Sequence, residues 1–376
     1  MHLNTISGVI PSSLPAASSS TVGELLYTFN APDSGSIAYG SAVAMSDSYF
    51  AVAAYNANSG NGKYYVYNKS DGSLVHATNG NGHGFGDFPN SIAMTDTRII
   101  FGRPHLSSNR GGFLMHETQT GSYVVAGAMP SPASISDMFG MQIDVNDTAG
   151  AFIVGVNAED TNGTNQGSAY WYNMSGVLQT TVRNPNAGGN ASEQDNFGYG
   201  VAMGPTASAV GAPREASSTG ITYHYNTTGS SLVRNLSSSM GSGKKMGNQV
   251  GITGNLIVSF GEGARLQANR IDTGAEVYSV SLNSVSNDST GSSVGANAAI
   301  QSRHVDDEAG TNAGAVDWYN PNTGDHIIKI VNPNVVSMAI NGGQFGKTTA
   351  TNGTMAIIGA PGNSSSAGQA FVYSTV

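Results

Sequence analysis

Cysteine is absent from the 376 residues, so neither a disulfide framework nor a thiolate metal site holds the fold together. Charge is scarce, with Asp, Glu, Lys and Arg at 10% of the chain. No run of 18 apolar residues occurs, which argues against a membrane-spanning helix. Basic residues are the scarcer sign, 15 Lys and Arg against 24 Asp and Glu, for a formal net charge of −9. With no basic cluster beyond Lys244 and Lys245, a phosphate backbone meets a repelling surface, and nucleic acid is not an expected partner. Stability has to come from apolar burial and backbone pairing.

Glycine, by contrast, is abundant at 50 residues, and 39% of the chain is hydrophobic, too apolar and too regularly patterned for a disordered tract. The pattern is a repeat. Aligned on the glycine after an aromatic or apolar residue, the chain reads YGSAVAM at Gly40, FGDFPNSIAM at Gly86, FGMQIDV at Gly140 and FGYGVAM at Gly198. MGNQVGI at Gly247, VGANAAI at Gly295 and FGKTTAT at Gly346 complete seven units, 46 to 58 residues apart. That period belongs to propellers and solenoids.

Each unit carries four strand-like runs. The third is the most regular, as in YYVYN from Tyr64, FLMHE from Phe113, AYWYN from Ala169 and AVDWYN from Ala315. Its aromatic and β-branched residues suit a buried pleated surface. Glycines in DG, TG and SG pairs between the third and fourth runs supply the positive φ of tight hairpins. The seventh unit stops after its third run, and GELLYTFNAP, Gly23 to Pro32, is one run in excess ahead of the first unit. Pairing the two predicts an all-β, seven-bladed β-propeller of four-stranded antiparallel blades over residues 22–376, closed by the N-terminal strand on the last blade. Residues 1–21 are expected to form an extended arm.

FGYGVAM with AVGAP, and FGKTTATNGTMAIIGAP, resemble FG-GAP repeats of the integrin α-chain type of propeller. Literal Gly-Ala-Pro stands at Gly211–Pro213 and Gly359–Pro361, with FGRP at Phe101–Pro104. The resemblance implies structural roles for these glycines and prolines. It also implies acidic calcium loops in some blades, but the matching connections here (MSDSY, MTDTR, VNDTAG, MGPTAS) lack the carboxylates that calcium's six to eight oxygens require. Asp144, Asn146 and Asp147 come nearest and read as a hairpin turn, so no metal and no cofactor are expected.

Catalytic signals are few. His83, His105 and His116 share the second unit but fall on different strands or loops without ligand spacing. No G-x-S-x-G nucleophile turn occurs, and no catalytic residue is expected. The Asn-x-Ser/Thr patterns at Asn68, Asn162 and Asn226 are what an Asn- and Thr-rich chain produces by chance. The loops between second and third strands emerge on one face and concentrate charge: Glu159, Asp160, Arg214, Glu215, Glu262, Arg265, Asp306, Asp307 and Glu308. They are expected to form a rim that meets a protein partner, receptor or host-surface glycan. The arm offers Leu3, Ile6, Val9, Ile10 and Leu14 for burial against another subunit. Together these features lead to the expectation of a non-enzymatic structural or adhesion module of a virion, of the tailed-phage kind. The alternative is an exported or cell-surface propeller that binds a ligand or carbohydrate.

Overall fold

Inner strands of small residues, middle strands apolar on both faces and half-exposed outer strands recur seven times around an axis. The computed structural model describes residues 9–11, 21–33, 38–55, 57, 62–79, 91–130, 136–161, 163–186, 194–281, 291–308, 310–336, 342–363 and 367–376. They form seven antiparallel sheets, six four-stranded and one five-stranded. Blade three shows the plan with Gln142–Asn146, Ala151–Val156, Ser168–Asn173 and Leu178–Arg183 in spatial order. Its second strand, AFIVGV, is buried at every position because a neighbouring blade covers each face, whereas LQTTVR on the outside keeps three exposed residues. The fold is therefore a seven-bladed β-propeller.

Aromatic side chains fill the seams between blades. Trp171 and Trp318 are fully buried. Phe29 stacks on Tyr67 at 4.3 Å between ring centres, and Phe152 on Tyr172 at 5.1 Å. Trp171 reaches from blade three to blade four, where its Nε1 donates to Ser208 Oγ at 3.1 Å.

The two glycines of the repeat meet across the seam. A Cβ on Gly102 would lie 1.9 Å from the Gly140 carbonyl oxygen, one on Gly155 2.0 Å from that of Gly198, and one on Gly211 2.0 Å from that of Gly247. Gly359 closes the ring against the Gly40 carbonyl at 2.1 Å. In these four blades the glycine of the second strand thus receives the backbone of the repeat glycine that leads into the next blade, an approach no side chain permits. Blade six corrects the sequence alignment. Gly295 lies after the inner strand Ser293–Val294, in the hairpin, where its N–H donates to the Ala298 carbonyl at 2.9 Å just as Gly204 donates to Ala207 at 2.8 Å. Its degenerate sequence allowed the hairpin glycine to pass for the repeat glycine; Gly86 falls outside the described residues.

All seven outer strands carry a bulge near their start, where the pairing register with the third strand shifts. The residues skipped by the ladder are Val75, Val124, Gln179, Val233, Val277, Ile327 and Leu26. A bulge twists an edge strand out of the plane in which a second molecule could pair, which makes a row of open edges tolerable.

Leu25–Asn30 lies beside Gln369–Ser374, with Leu25 opposite Tyr373 and Asn30 opposite Gln369, and supplies the outer strand that the last unit lacks. Val9–Pro11 then pairs with Tyr27–Phe29 as a fifth strand. Val9 and Ile10 of the expected arm are on that strand; Leu3, Ile6 and Leu14 lie outside the described residues.

Candidate functional site

Two regions collect polar chemistry, the face carrying the loops between second and third strands, and the axial channel. On the loop face one backbone bond recurs. The glycine that opens the third strand donates to a carbonyl five or eight residues back: Gly62 to Ala57, Gly111 to Leu106, Gly167 to Glu159, Gly220 to Glu215, Gly314 to Asp306 and Gly368 to Asn363. Glu159, Glu215 and Asp306 are therefore one structural position in three blades. They are buried, at 2%, 1% and 7% exposure, and do not form a rim. A carboxylate taken from water needs donors, and each finds them within reach. Glu215 accepts both from Tyr223 Oη, at 2.7 and 2.9 Å, and from Asn186 Nδ2 at 2.8 Å. Glu159 accepts from Ser168 Oγ and Thr161 Oγ1, and Asp306 pairs with Arg303 and, at 3.7 Å, Lys329.

The remaining charges of the predicted set divide. Asp160 and Asp307 are exposed, yet each ties its own loop, accepting from the N–H of Asn165 and of Asn312 at 2.7 Å. Glu308 is exposed and pairs with Lys329, and exposed Arg214 donates to Gln194 Oε1 at 3.1 Å. Glu262 is half-buried against Lys245 at 2.7 Å, and Arg265 donates to the Glu262 and Gly263 carbonyls. The face thus presents Asp160, Arg214, Asp307 and Glu308 on loops whose interiors are braced by the other carboxylates.

The loops of blades two and four carry backbone strain. Ser107, Ser108 and Asn109, and likewise Ala216, Ser217 and Ser218, run consecutively at φ between +52° and +62°. Each triplet is a left-handed turn of small residues, a conformation that costs L-residues about 1–2 kcal/mol apiece. Segments held this way persist only where surrounding structure imposes them, and they cluster at functional loops.

Sequence reasoning passed over the residues that brace neighbouring blades. Asn332, fully buried, donates to the Ala313 carbonyl at 3.1 Å and to Asn363 Oδ1 of the next blade at 2.8 Å. Asn184 does the same between blades three and four, donating to Asp195 Oδ2 at 2.8 Å. A signal was present, since Asn-Pro-Asn follows the fourth strand at both 184–186 and 332–334. Asp317 was also missed. Buried on the third strand of blade six, it accepts from Arg303 at 3.1 Å and faces His326 Nε2 at 3.0 Å.

The histidines of the second unit do not converge. His105 meets Asn109 Oδ1 at 2.8 Å in the loop, while His116 shares a 2.8 Å hydrogen bond with Tyr64 of blade one; His83 lies outside the described residues. Among the described residues no group of three or more His, Asp or Glu is placed to hold a metal ion.

The inner strands of all seven blades enclose a cavity of about 300 Å³. Among the described residues that line it, Asp144 is the one charged residue. Its Oδ1 accepts from the Val145 N–H at 2.9 Å, and its Oδ2 from the Met203 N–H of blade four at 2.7 Å. The side chain is embedded in protein with part of its surface left toward the channel. Burial pushes its pKa up to about 6, against the pull of the two backbone donors. The hairpin turn expected here is present, with the Gly150 N–H donating to Asp147, but Asp144 itself belongs to the strand before it.

No family model matches this sequence, and no curated protein matches it.

Proposed function

We propose that this chain is a non-enzymatic binding and structural propeller of the FG-GAP type that serves as a virion component. It docks on neighbouring subunits through its N-terminal segment and presents the second-to-third loop face to a partner protein or a host-surface glycan. The observation that carries this reading is the bracing of that face from inside. Glu159, Glu215 and Asp306 spend their carboxylates on loop and blade contacts, which leaves the exposed charges on loops already fixed in shape. Preorganised loops lose little entropy on binding, which suits a recognition face. Val9–Pro11 pairs with this chain's own outer strand, so docking through the N-terminal segment would exchange that main-chain pairing for the same pairing on a neighbour's open edge.

Peptide mass spectrometry of sedimented particles against soluble material tests the reading. Peptides from this chain, including its first twenty residues, are expected in the particle fraction at a fixed ratio to other particle proteins. Recovery only as a soluble chain beginning near Ser18 overturns it.

A further inference from the structure

The axial channel has a chemistry that the loop-face reading does not use. Among the described residues its wall is neutral apart from Asp144, with Ser, Thr and Gln side chains between apolar ones. Among the described residues no cation pairs with that carboxylate. Its two oxygens take one backbone N–H each, whereas an ionised carboxylate has about four acceptor positions. Gln249 lines the same cavity at 8% exposure, and its Nε2 has no hydrogen-bond partner among the described residues. A buried charge without a counter-ion and a buried amide without a partner both cost folding free energy. Two such costs on the wall of one cavity mark a place completed by something else.

Size and charge narrow the choice. A protein-built divalent-metal site gathers several carboxylate, carbonyl or imidazole ligands, and among the described residues no such group of side chains converges on Asp144. A cavity of about 300 Å³ is far larger than a lone ion requires, a water occupying about 30 Å³, and it stands at the small end of organic ligand sites. The ligand must carry positive charge, N–H donors for the carboxylate, and a short polar body for the neutral wall. We infer that the channel binds a small primary ammonium compound, its cationic head on Asp144 and its body along the wall that Gln249, Ser293 and Thr349 supply.

Of the strands packed most closely on Gln142–Asn146, Ile92–Met94, Val201–Met203 and Ala151–Val156 carry no titratable group. Arg98–Gly102 carries Arg98, at the strand start and bonded to the Thr97 carbonyl. Occupancy should then follow the protonation of Asp144. Thermal unfolding of the full chain in phosphate buffer at pH 7.5 tests this with ethanolamine hydrochloride, using ammonium chloride and sodium chloride at matched ionic strength as controls. Ethanolamine is expected to raise Tm saturably, by about 3 °C at roughly a hundred times its Kd. The rise should fall to about half at pH 5, where roughly a tenth of the carboxylate is ionised, should vanish in Asp144→Asn, and should exceed that in either control. No rise, an equal rise in the control salts, a rise undiminished at pH 5, or one that survives the substitution overturns the assignment. If Asp144→Asn does not fold, the pH arm on the unaltered chain decides.

Discussion

At Gly211 one hydrogen atom decides whether two blades close. Its Cβ position is 2.0 Å from a backbone carbonyl oxygen, and a backbone cannot swing aside as a flexible side chain can. Gly211→Ala is expected to cost about 3 kcal/mol or more through seam displacement. Gly150→Ala, with nothing within 4 Å but φ at +63°, should cost about 1 kcal/mol from backbone strain alone. Denaturant midpoints of the two variants make the comparison, and equal losses would show that the seam yields. Asp144 supplies the pH dependence. Its pKa of about 6 in the fold exceeds the usual carboxylate value. Its contribution is therefore fully present below about pH 4 and is lost as pH rises through about 6. Between those limits the chain should lose on the order of 2 kcal/mol from this group, and Asp144→Asn should remove that slope whatever it does to absolute stability. Calorimetry at half-unit pH steps reads the slope directly.

At the scale of the element, the loop joining the second and third strands of blade four depends on Glu215 and Tyr223. Removing the hydroxyl as Tyr223→Phe takes one donor, shared between both oxygens, from a buried carboxylate and should cost about 2–3 kcal/mol. Neutralising the acid as Glu215→Gln should cost less, and the double variant should fall short of the sum, since the second change removes a partner already lost. A coupling energy near zero in that double-mutant cycle would mean that the loop is held by its backbone alone. The left-handed triplet at Ala216–Ser218 gives the side-chain bracing something to oppose. Strain of that size relaxes unless contacts such as these outweigh it.

Across the whole molecule, the two ends of the chain meet in one blade. Leu25–Asn30 reaches Gln369–Ser374 from the far end of the chain, and the last seam seats Gly359 on Gly40. Truncation through residue 21 removes, among the described elements, the fifth strand alone and should leave a cooperatively folded propeller. Truncation through Asn30 strips the last blade of its outer strand and should give broadened unfolding and concentration-dependent aggregation, because it exposes an edge without its bulge. Light scattering and calorimetry of the two truncations separate these outcomes. Equal behaviour would deny the strand its closing role.

The number of blades, the order of strands within them and the glycines of the hairpins between third and fourth strands were legible in the chain because each is local, whereas the hairpin glycine Gly295 was not. Alternation, a turn residue and a period of about fifty residues need no partner to be seen. The strand that belongs with the far terminus was legible for a related reason, as the one excess run matching the one missing. What only the tertiary structure decided is which way a polar side chain faces. Glu159 and Asp160 are adjacent and chemically alike, yet one is buried beneath its loop and the other stands in solvent. Asp144 reads as part of a turn until the inner strands of all the blades are brought around one axis and leave it alone on the wall of a channel. Burial is a property of what surrounds a residue, and in a propeller the surroundings come from the next blade, roughly fifty residues away in sequence.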